Sequence, residues 1–294
     1  MPKAKPSKPK TVCDGDVQME LQDQPKRKPT PAKQPPEERI ATPRQMGPLL
    51  WNRIVGLSAL PFIPIFSMAL YRTLRLAHAA KQKEGIAFWE SHDFQMFTGG
   101  AFAWLVIFCL SLKIWKEPWG MRAYVLGHET MHMLVAMGSR GKIKEFSARR
   151  EGGYVVTNKY NFLIALAPYL WPFYSMPVLL AWSLSLLCWS GAWEYWEWFL
   201  AALGFTWMFH LTFTVWILPF GQSDFHGPGR IFSLVVVYLA NTVCLSGMII
   251  LLAPKVTWYD YGVSLWRSAW VFYQLATDYV VIPAARWLYH SVVG

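Results

Sequence analysis

Long apolar runs separated by short polar stretches dominate the chain from residue 50 onward. Met96 to Leu112, Phe162 to Leu187, Trp198 to Phe220 and Ile231 to Ala253 carry no Asp, Glu, Lys or Arg. An α-helix rises about 1.5 Å per residue, so about 20 apolar residues cross the hydrocarbon of a bilayer. Ile54 to Leu70 is a further run, interrupted by Pro61 and Pro64 in "ALPFIPIF". Trp119 to Gly138 is another, mostly apolar but with Arg122 and a few polar positions in "AYVLGHETMHMLVAMG". The pattern predicts an all-α polytopic membrane protein with about six transmembrane helices. The two prolines allow the first segment to be either a span or a re-entrant hairpin, because proline breaks the helical ladder. Tyr71 to Gln95 reads as a polar connection.

Between the third and fourth runs the period changes. "KIKEFSARREGGYVV" holds short alternating patches on either side of Gly152 and Gly153, which is a hairpin signal. It predicts a small β-hairpin at the membrane face. The residues from Trp258 to His290 mix tryptophan and tyrosine with scattered charge, a composition suited to the headgroup region. The expected organisation is therefore a disordered basic cytoplasmic tail over 1–45, a helical membrane domain over 46–257 with its core at 119–253, and an amphipathic aromatic segment over 258–294.

Composition sharpens this picture without altering it. The 294 residues are 54% hydrophobic and include 17 tryptophans, and the formal charge is +10. The tail is polar and rich in Lys and Pro, so it buries too little apolar surface to offset its ordering entropy. The basic tail and loops suit anionic lipids. Nucleic-acid binding is not expected, since no folded basic readout element is apparent. Of Cys13, Cys109, Cys188 and Cys244, three lie inside apolar runs and none has C-x-x-C spacing, so neither a disulfide framework nor a thiolate zinc site is indicated. Lys and Arg in short loops set orientation. Arg140, Lys142, Lys144, Arg149, Arg150 and Lys159 crowd one loop, whereas the link "CWSGAWEYWEW" carries only Glu194 and Glu197. The hairpin is thus expected on the cytoplasmic side.

Chemistry concentrates in the third run. His128 and His132 stand four apart, which places both imidazoles on one helical face. Two such rings can bind one zinc ion, and Glu129 beside the first is placed to act as a general base. Ionisable groups in hydrocarbon are costly, about 2.5 kcal/mol or more for Asp at a helix centre, and metal coordination offsets that cost where packing does not. Zinc takes a further protein ligand and keeps an open position for water. His210, Asp224 and His226 are candidates for that ligand, and Asn241 is a candidate for substrate hydrogen bonding. On the residues alone the choice stays open.

"GHETMH" within an apolar helix, a Gly-Gly hairpin after it and a later "QSDF" before another apolar helix resemble the site-2 protease family, the intramembrane zinc metalloproteases. The resemblance covers residues 119 to about 245. It implies His128, His132 and Asp224 as metal ligands, Glu129 as catalytic base, and the hairpin as the element that receives an extended substrate. The expected function is a zinc-dependent endopeptidase acting in or near a transmembrane segment of a membrane protein substrate. The expected location is the cell's inner membrane, with the active site toward the cytoplasmic face. Two other classes compete. A proteolytically silent membrane scaffold of the same fold would bind transmembrane partners and have no use for Glu129. A histidine-box oxidase would need about eight clustered histidines, and the chain has seven, with His78, His92 and His290 scattered.

Overall fold

Apolar runs without helix breakers form helices, and the breaks fall where proline, glycine or charge interrupts them. The computed structural model describes residues 49–150, 152–220 and 223–293; the expected tail over 1–45 lies outside them. In order, the helices are α1 (Leu49–Ala59), α2 (Phe62–Gln82), α3 (His92–Trp115) and α4 (Met121–Gly138). A two-stranded sheet of β1 (Ile143–Arg149) and β2 (Gly152–Thr157) follows, then α5 (Phe162–Leu170) and α6 (Ser175–Cys188). The chain continues through α7 (Trp196–Ile217), α8 (Arg230–Leu252) and α9 (Trp258–Ala276) to α10 (Ile282–Val293).

Among the described residues, four stretches are long and apolar enough to cross a membrane: Trp51–Gln82, His92–Trp115, Ser190–Ile217 and Arg230–Leu252. The α5–α6 pair, bent by 71°, brings the number to five if it counts as one span. About six were expected. The difference lies in α4, whose Arg122, two histidines and glutamate leave it short of the apolarity a span requires. The polar connection expected from Tyr71 onward is instead helical as far as Gln82. "RTLRLAHAAKQ" is rich in Ala, Leu, Arg and Lys, which favour helix whatever the solvent. Pro64 sits in the first turn of α2, where proline is tolerated, and the chain turns at Leu60 and Pro61.

α3 and α7 form the most extensive helix pair, and glycine brings them together. A Cβ on Gly204 would lie 3.2 Å from the Ala101 nitrogen and nearer still to the Phe97 carbonyl; one on Gly100 would lie 2.6 Å from the Ala201 carbonyl carbon. Without a hydrophobic drive between helices in lipid, such close backbone approach supplies the packing. Aromatics fill one side of this pair: Trp104, Phe108, Phe209 and Phe213 form a buried cluster.

α9 packs against α2 with its small and polar face inward. Tyr261, Ser264 and Ser268 are buried, while Trp266, Trp270 and Tyr259 are exposed. On α2 the buried stripe is Ala69, Thr73 and Ala77, one every turn. Thr257 opens α9 with a reciprocal cap, its side chain accepting from the Asp260 N–H while Asp260 accepts from the Thr257 N–H.

The hairpin forms where the sequence placed it. Strand pairing is antiparallel, Arg149 opposite Gly152 and Ala148 opposite Gly153, with an irregularity between Ile143 and Glu145. Both strands pack along α4, so the hairpin runs back over the helix that precedes it. Its tip is tied by an ion pair between Arg150 and Glu117.

Candidate metal centre

Gly120 precedes α4, and its φ of 86° suits a residue without a Cβ. Two turns later the helix presents His128 and His132 on one face. Their rings meet edge to face with centroids 4.8 Å apart, and the two Nε2 atoms are 3.2 Å apart. The third group comes from far along the chain. α7 ends at Ile217, Pro219 follows, and a single 3-10 turn, Ser223–Phe225, carries Asp224 inward. Phe225 anchors that turn among Leu166, Tyr169, Leu170 and Val237. Asp224 Oδ2 then lies 3.3 Å from His128 Nε2 and 3.7 Å from His132 Nε2. Donor atoms of His128, His132 and Asp224 all lie within 4.8 Å of one another.

Each of these side chains is held by another group. His132 Nδ1–H donates to the Ile164 carbonyl at 2.8 Å. That bond fixes the tautomer and leaves the Nε2 lone pair facing the cluster. His128 Nδ1 pairs with the Tyr124 hydroxyl at 3.1 Å. The Tyr169 hydroxyl donates to Asp224 Oδ2 at 2.8 Å. Tyr169 is held in turn by Asn241, whose Nδ2 donates to its carbonyl at 2.9 Å.

The residues fit a divalent metal ion. Tetrahedral bonds of about 2.0–2.1 Å give ligand-to-ligand edges of about 3.3 Å, and the three separations here are 3.2, 3.3 and 3.7 Å. The donor set, two imidazoles and a carboxylate, is one that borderline metals such as zinc accept. An acceptor lone pair and a carboxylate converging in a buried space suit a cation between them. Zinc would be held by His128 Nε2, His132 Nε2 and Asp224 Oδ2.

Glu129 is 7% exposed and lies beneath β2. A Cβ on Gly153 would stand 2.8 Å from Glu129 Cδ and nearer to its Cγ, so only glycine lets the strand pass over the carboxylate. The neighbouring face of α4 is covered by the elbow between α5 and α6. A Cβ on Gly127 would meet Phe173 at 3.0 Å and Tyr174 at 3.1 Å. The cavity beside the cluster is lined by His132, Val155, Thr157, Tyr160, Ile164, Ala165 and Asp224 and holds about 10 Å³, roughly the space of one water centre. The hairpin and elbow close over the site.

Of the other candidates, His226 is exposed and stands outside the cluster. His210 is buried in α7, and its Nε2 has no hydrogen-bond partner among the described residues. Asn241 bonds to backbone carbonyls. The sequence reading did not single out Tyr124, Tyr160 or Tyr169. Tyr124 precedes His128 by four, a spacing that places it on the same face. Tyr160 and Tyr169 reach the cluster only through tertiary packing, for which the sequence carries no spacing signal. Comparisons with family models, with curated proteins and with solved structures find no match.

Proposed function

We propose that this chain is a zinc-dependent intramembrane endopeptidase similar to the site-2 proteases, hydrolysing a peptide bond in or near a transmembrane segment. The observation that carries the reading is the convergence of His128, His132 and Asp224 donor atoms beside Glu129, in a chain with four helices apolar enough to cross a membrane. Bound zinc would supply Lewis acidity toward water and toward the carbonyl oxygen of the scissile bond. His132, locked by the Ile164 carbonyl, and Asp224, locked by Tyr169, keep the metal-holding geometry rigid. Glu129 accepts one proton from the attacking water at a carboxylate oxygen and delivers it to the departing amine nitrogen. The water oxygen bonds to the carbonyl carbon, the C–N bond breaks, and one water is consumed per cleavage.

The hairpin suits an extended substrate. It has two strands, so each offers one edge for strand addition, which satisfies the backbone groups of an unwound helix. The closed site favours the reading that β2 lifts from Glu129 when substrate enters. The same closure suits a silent scaffold, and one experiment separates the two. The full chain, purified in detergent, is assayed for bound metal and for cleavage of a reporter transmembrane peptide. The endopeptidase binds about one zinc per chain, and Glu129→Gln keeps the metal and loses cleavage. A wild type that binds no metal, or a Glu129→Gln variant that cleaves as fast as wild type, sinks the reading.

A further inference from the structure

Three tyrosines border the candidate metal centre, and two are committed. Tyr124 pairs with His128, and Tyr169 donates to Asp224. The third, Tyr160, has a buried Oη with no hydrogen-bond partner among the described residues. It lines the cavity of about 10 Å³ together with His132 and Asp224. A phenol oxygen buried without a partner carries a desolvation cost, and phenylalanine would fill the same space without it.

Tyr160 is also held firmly. The next residue, Asn161, caps α5 by accepting from the Ile164 N–H at 2.8 Å, and the Ile164 carbonyl is the group that fixes His132. On its other side the ring rests against Gly227. A Cβ there would stand 3.1 Å from Cε1 and Cζ and nearer still to Oη. Gly227 follows Asp224 by three residues, and Asn52 Nδ2 donates to its carbonyl at 3.4 Å. The phenol is thus clamped between the segment that orients one metal-binding histidine and the segment that carries the aspartate.

We propose that Tyr160 is a catalytic hydrogen-bond donor, its O–H aimed at the oxygen that gains negative charge when water adds to the scissile carbonyl. This inference rests on the endopeptidase reading. The phenol keeps its proton throughout; Glu129, which lies under β2, carries the proton traffic. A donor fixed before reaction stabilises developing charge without reorganisation.

The test uses the full chain in detergent, loaded with zinc, and acetohydroxamate as a probe whose oxygens occupy the reacting positions. In Tyr160→Phe, bound zinc and KM for the reporter peptide stay at wild-type values. The kcat falls about 100-fold, as for loss of one oxyanion donor. Calorimetric affinity for acetohydroxamate weakens about tenfold, the weight of one hydrogen bond. Gly227→Ala, which pushes the ring without removing the oxygen, lowers hydroxamate affinity in the same direction at unchanged zinc content. A zinc-loaded, active wild type whose Tyr160→Phe variant matches it in kcat and hydroxamate affinity overturns the role of Tyr160 and leaves the endopeptidase reading standing. A wild type that takes up no zinc overturns both.

Discussion

Replacing Gly153 with alanine tests whether the glutamate beneath β2 is the working base. A methyl at this position would stand 2.8 Å from Glu129 Cδ, and 2.7 Å from the Ser147 carbonyl oxygen across the hairpin. Non-bonded carbon atoms rest about 3.5–4.0 Å apart, so the carboxylate must move by about 1 Å. While the hairpin is closed, the Ser147 carbonyl blocks the methyl on its other side, so the carboxylate is the group that shifts. A misplacement of about 1 Å in a reacting group costs about 100-fold in rate. None of the three metal-binding side chains is among the nearest neighbours of that methyl, so bound zinc should stay at wild-type level. The assay pairs reporter cleavage with metal analysis on the same preparation. Gly153→Ala protein that keeps its zinc and cleaves at the wild-type rate would show that Glu129 either is not the base or does not need its observed position.

Tyr169→Phe removes the hydroxyl that holds Asp224 and should weaken metal affinity about 10–100-fold, read by competition with a chelator. Gly204→Ala forces a Cβ into the Phe97 carbonyl region; overpacking of about 1–3 kcal/mol outweighs the gain in helix propensity of about 1 kcal/mol, so the melting temperature in detergent falls. Gly99→Ala, with nothing within 4 Å of its Cβ, should be neutral or stabilising by the same measurement. The Glu84 carboxyl is held below its ordinary 4.5 by a hydrogen bond from Lys255 and the charge of Lys81. A lowered carboxyl pKa stabilises the fold above the unfolded value and ceases to do so as pH falls through the folded one. The Tm difference between wild type and Glu84→Gln should therefore close as pH drops below 4.5.

Local signals were legible wherever one element carried them. The i,i+4 histidines, the Gly-Gly hairpin and the three late apolar helices all rest on contacts close in sequence. The third member of the His128–His132–Asp224 cluster was not a local signal. Asp224, His226 and His210 looked similar in sequence, and the burial of Phe225 turns Asp224 inward while leaving His226 exposed. Charge misled at α2, where Arg72 and Arg75 end an apolar run but do not end a helix. Composition misled at α4, since Arg122, His128, Glu129 and His132 deprive an apolar-looking segment of the apolarity of a span. The tyrosines that hold or border the cluster reach it from separate segments, and nothing in their spacing marks them.

The glycine contact between α3 and α7 restricts how the molecule can breathe. With backbone lying directly on backbone at Gly100 and Gly204, the two helices are stitched along a seam that admits no side chain. Parting or sliding them would tear that seam at both residues. On the endopeptidase reading, a peptide's path to Glu129 would open where the two-stranded flap and the α5–α6 elbow rest on α4, away from that seam.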